Sequence, residues 1–83
     1  VGNLNEIVRD VVDLVREEFE TEGINIELET SSVPEFQFDV GGIHQVVMNL
    51  LMNSKHALMG KTDRRIVVRT WVADQRAWLS VKD

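Results

Sequence analysis

Cysteine is absent from the 83 residues, which excludes a disulfide framework and a thiolate-held metal. Proline occurs once, as Pro34, and marks a connection between elements. No apolar run approaches the roughly 18 residues that a membrane-spanning helix needs, and no signal-peptide pattern opens the chain. A cytoplasmic piece is therefore the expectation, with a membrane-anchored parent left open. The phosphate-cradling G-x-x-x-x-G-K-[ST] and G-x-G-x-x-G runs are missing, as is H-E-x-x-H. Basic residues are scarce in one half of the chain. Residues 1–39 hold eleven acids and two bases, whereas residues 40–83 hold three acids and seven bases. The acidic half argues against general nucleic-acid binding, which needs a basic footprint. The basic half either attracts a small polyanion or is simply a solvated surface.

What is present fits one small domain with a modest core, 43% hydrophobic and 28% charged. The stretch NLNEIVRDVVDLVREEFETEG predicts a helix. Asn3 and Glu6 form a capping-box pattern, Ile7, Val8, Val11, Leu14, Val15 and Phe19 make one apolar stripe, and Gly23 is the stop. INIELET alternates as a half-buried strand with Ile24, Ile26 and Leu28 on one face. A short extended piece over residues 36–38 leads to Asp39, whose carboxylate is placed to cap a second helix running to Gly60. Gly41 and Gly42 in its first turn imply either a close backbone approach or a loose turn.

On that second helix Val46, Val47, Leu50, Leu51, Ser54, Ala57 and Leu58 form the expected core arc. Met48, Met52 and Met59 form a softer stripe expected to be exposed, which hints at a partner or a missing segment. Arg65–Val72 and Ala77–Lys82 read as an antiparallel hairpin with Trp71 and Trp78 paired on the face away from the helices. The element order predicts an α+β fold, a two-layer α/β sandwich with helices on one face of a mixed sheet. Its small sheet would leave apolar area uncovered, so part of a larger domain is expected.

Chemistry concentrates on one edge of the second helix. Asn49, Asn53 and His56 fall at spacings of four and three beside the apolar arc. Two amides one turn apart can offer oxygens to a hard cation such as Mg²⁺, which is usually completed by waters and substrate phosphates. They can equally cap backbone or face solvent. His44 and His56, about 120° apart around the helix, cannot share a metal. No serine has a neighbouring His/Asp arrangement that would make it a nucleophile.

HQVVMNLLMNSKHALMG resembles the N-box of the ATP-binding domain of sensor histidine kinases, commonly QVLxNLLxNAxxA, here at residues 45–57. The opening NLNEIVRDVVDLVREEFETEGINIELE is similar to that family's first helix and strand. FQFDVGGIHQ resembles the lead into the N-box, and LSVKD the strand that enters the first glycine-rich box. The resemblance covers essentially all 83 residues as an N-terminal portion, without the glycine-rich boxes or the ATP lid. It implies a truncated Bergerat-type ATPase fold of the GHKL class.

By position, the resemblance implies that Asn53 coordinates Mg²⁺ bridging the ATP phosphates and that Asn49 lies near those phosphates. It places His56 and Lys55 where polar or basic side chains approach them. Asp83 takes the place of the aspartate that accepts from the adenine amino group. Gly41–Gly42 depart from the usual Asp-Pro, and Ser54 stands for a common alanine. Neither histidine has the H-[DE] context of a phospho-acceptor, so no catalytic residue lies in this chain. The implied activity is that of a protein histidine kinase in two-component signalling. It would contribute ATP and Mg²⁺ binding to phosphorylation of a histidine on the dimerisation domain, with a response regulator downstream and a homodimer possible. The piece alone is expected to bind ATP weakly or not at all. Alternatives are a related GHKL ATPase such as an anti-sigma-factor kinase, or a nucleotide-independent adaptor working through its Met stripe and sheet face.

Overall fold

A computed structural model of the protein describes residues 2–35 and 38–83. Within them the chain forms α1 (Leu4–Thr21), β1 (Asn25–Thr30), α2 (Val40–Ala57), β2 (Arg65–Ala73) and β3 (Arg76–Lys82). The sheet order is β1-β2-β3. β1 pairs parallel with β2, Ile26 opposite Ile66, and β2 pairs antiparallel with β3, Thr70 opposite Leu79. Parallel neighbours need a long crossover, and α2 supplies it. The mixed sheet and two helices make this a small α+β domain. The extended piece expected at 36–38 falls largely outside the described residues; Phe38 itself is irregular and packs against the core.

α1 forms because both ends are satisfied and one face is apolar. The Asn3 side chain accepts from the Asn5 amide at 2.9 Å. That differs from the expected capping box, since the Asn3 amide group is also used across the fold, donating to the Val33 carbonyl at 3.1 Å. At the other end the Gly23 and Ile24 amides donate to Glu20 and Phe19, each at 2.9 Å, with Gly23 at φ +76°. This is a Schellman motif, and the buried Phe19 and Ile24 supply its usual apolar contact.

The core consists mainly of short aliphatic side chains around Phe19, Leu51, Ile66, Val8, Val11 and Val12. On α1 the buried arc is rotated toward Val12, so Leu14, expected in the stripe, is 66% exposed. α2 shows the same kind of rotation. Val47, Leu51, Ser54 and Leu58 are buried, but Val46 is 47% exposed and Ala57 is also exposed. Met48 and Met52, expected on an open stripe, are half-buried and pack against the core, leaving only Met59 of the three exposed. The cause is α1, which lies beside α2 and turns that helix's methionine flank inward. One polar link crosses the interior: Thr70, almost fully buried on β2, donates its hydroxyl to Asn5 Oδ1. Asn5 in turn donates to the Ser31 carbonyl at 2.7 Å. A buried hydroxyl must be paired, and this one ties the start of α1 to the end of β1.

Candidate functional site

α2 begins at Asp39, whose carbonyl accepts from Ile43 at 3.0 Å. Its carboxylate makes no capping hydrogen bond, contrary to expectation. It folds instead over Gly42, where a Cβ would stand 2.9 Å from Oδ2. Among the described residues a Cβ at Gly41 would meet only Asp39 Oδ1, at 3.6 Å.

Farther along α2, Asn49, Asn53 and His56 lie together on an exposed edge. Asn49 Oδ1 accepts from Gln45 Nε2 at 3.2 Å, one helical turn earlier. The side chains of Asn53 and His56 make no hydrogen bond or ion pair to other described residues. The amides therefore face solvent and cap no backbone. An exposed amide of this kind is free to give one neutral oxygen to a cation, and Mg²⁺ needs few protein ligands when waters and phosphates complete its shell. Among the described residues no cluster of three His, Cys, Asp or Glu side chains is placed to hold a metal.

Lys55 is elsewhere. Its side chain, 16% exposed, bridges to α1, with Nζ 2.6 Å from Glu22, 3.4 Å from Glu18 and 5.5 Å from the centre of the Phe19 ring. The Glu22 hydrogen bond is the main cause that raises its pKa above the ordinary 10.5, with desolvation opposing it. Lys55 clamps the two helices on the side of α2 away from the amide edge. No sequence pattern announces that clamp, because its acids stand 33 and 37 positions earlier.

Asp83 follows β3 and is exposed. Lys82 pairs with Val67 near the start of β2, which puts Asp83 at the end of the sheet where α2 also finishes. It lines a shallow cavity of about 250 Å³ with Asp63, Arg65, Val67, Arg69 and Lys82, a group that includes none of the α2 candidates. The fold thus brings Asn49, Asn53 and His56 onto one edge, sets Asp83 at the same end of the domain, and directs Lys55 away.

Between the amide edge and β3 lies an apolar opening that sequence reasoning assigned to the core. Ile43 and Val46 of α2 line a small cavity with Leu4, Phe38, Ala77 and Leu79. Leu50 continues that flank half-buried. No protein-family model, curated protein or solved structure matches the chain. Among the described residues no helix is long and apolar enough to cross a membrane.

Proposed function

We propose that the chain is the N-terminal portion of a histidine-kinase-type ATP-binding domain, a Bergerat-type sandwich in which α2 is the N-box helix and supplies part of the nucleotide site. The observation that carries this reading is the exposed polar edge: the Asn53 and His56 side chains have no partner among the described residues, and Asn49 lies one turn earlier. The apolar flank beside it, from Ile43 through Val46 to Leu50, supports the same reading, since a pocket needs a second wall.

In this reading Asn53 holds Mg²⁺, which neutralises phosphate charge when bound. Asn49 and His56 position the phosphates, and Asp83 accepts a hydrogen bond from the base. The transfer to a histidine on a separate dimerisation domain rests on positioning and charge neutralisation, not on a nucleophile in this chain. Lys55 takes no part in phosphate binding here, because Glu22 and Glu18 already hold it. The adaptor alternative loses half its support, because Met48 and Met52 are packed against the core. Replacing Asn53 with Ala in the intact kinase tests the reading. Autophosphorylation is expected to fall by about 10²-fold or more, as when an electrostatic transition-state contact is removed. Unchanged autophosphorylation with normal folding would rule out the assigned role.

A further inference from the structure

Along β2 and β3 the outer face of the sheet is basic around a tryptophan pair, with Glu27 and Glu29 of β1 beside it, and the outer face of α1 is mainly acidic. On β2 and β3, Arg65, Arg69, Arg76 and Lys82 are exposed, and alternation places them all on the face away from the helices. Arg69 pairs with Glu29 at 2.7 Å, while Arg65, Arg76 and Lys82 have no ion pair among the described residues. Between them Trp71 and Trp78 stack with ring centres 6.3 Å apart and planes 8° from parallel. Trp78 is 42% exposed, and its indole N–H is already satisfied by the Ala73 carbonyl. α1 presents the complement. Glu6, Asp10, Asp13, Glu17 and Glu20 are exposed and take part in no ion pair among the described residues; Arg9 is exposed beside them and Leu14 stands at the margin of that face.

The dimensions agree. Glu6 to Glu20 spans about 21 Å of helix at 1.5 Å per residue. Lys82 to Arg76 spans about 20 Å of strand at 3.3 Å per residue. Leu14 lies about 12 Å from the Glu6 level, and Trp78 about 13 Å from the Lys82 level. A helix laid antiparallel to β3 would therefore set Glu6 near Lys82, Leu14 level with the tryptophans and Glu20 near Arg76.

We propose that the outer sheet face docks the α1 face of a second copy of this chain, a helix layer closing an open sheet. The contact is heterologous, so each copy keeps one free face and the association extends beyond a dimer. One helix on one sheet face is smaller than a standard stable interface, and both copies carry net charge −5, so the association is weak and salt-sensitive.

Sedimentation velocity on the full chain, up to about 1 mM protein, tests this at low and high salt. The weight-average mass is expected to climb with concentration at low salt and to stay monomeric at high salt. Two charge-reversed variants, Asp13→Lys/Glu17→Lys and Arg69→Glu/Lys82→Glu, are each expected to weaken self-association by about tenfold or more. An equimolar mixture of the two should regain it. Circular dichroism confirms that the surface variants fold. A wild-type chain monomeric throughout, or association untouched by both variants, would overturn the proposal, as would a mixture that stays monomeric.

Discussion

α1 and α2 each run 18 residues and pack on the same face of the sheet, yet they are finished differently. α1 has a side-chain cap at its start and a Schellman motif at its end, and its buried face is continuous from Leu4 to Phe19. α2 starts on an aspartate that makes no capping bond and spends its first turn on two glycines. It buries only Val47, Leu51 and Ser54 while Val46 faces solvent. A helix capped at both ends with a continuous buried face supplies stability. One with free amides and an open apolar flank has capacity left for something outside it, and in the proposed function that is a nucleotide and the wall that encloses it.

The contrast breaks most sharply on truncation of large side chains. Phe19→Ala removes the largest fully buried side chain and is expected to cost about 3–5 kcal/mol, enough to unfold a domain of this size. Val46→Ala, on the open flank of α2, is expected to stay within about 0.5 kcal/mol. Urea denaturation followed by circular dichroism distinguishes them, and a Val46 cost above 2 kcal/mol would mean that the flank is closed.

Glycines sharpen the same comparison at a smaller scale. Gly41→Ala places a Cβ 3.6 Å from Asp39 Oδ1, in ordinary contact, and is expected to raise stability by about 1 kcal/mol. Gly23→Ala meets no atom, but at φ +76° it is expected to lower stability by about 1 kcal/mol. Equal effects of one sign in thermal melts would contradict the difference drawn between the helix ends.

The Lys55 clamp that joins the helices should show the smallest and most condition-dependent effect. Its folded pKa is raised, so its contribution is fully present below the ordinary 10.5 and lost as pH climbs through the raised value. The stability gap between wild type and Lys55→Met is therefore expected to be constant across neutral pH and to close in strong alkali. A gap that persists unchanged through strong alkali would contradict a role for the Lys55 charge.

Much of this fold was legible from periodicity. The α1 stripe, the alternation of β1 and the Trp71–Trp78 pair follow from local pattern, and Gly23 announces its own turn. The rotation of each helix did not, because Leu14 against Val12 and Val46 against Met48 are decided by where the neighbouring helix sits. The hairpin turn was also only half-legible: Asp74 and Gln75 both take positive φ, 54° and 60°, without the Asn-Gly that usually signals such a turn. At the site, the spacing of Asn49, Asn53 and His56 placed them on one edge. Their exposure, and the diversion of Lys55 to Glu22, depended on packing between segments far apart in sequence.

The most direct test is an amide-resolved NMR titration of the chain with ATP in the presence and absence of Mg²⁺. Weak, millimolar, Mg²⁺-dependent shifts are expected at Asn49, Asn53 and His56 and at Asp83, with α1 unmoved and the response lost in Asn53→Ala. Shifts confined to other surfaces, or a response along the α2 edge that is independent of Mg²⁺, would contradict the assignment of this helix to a nucleotide site.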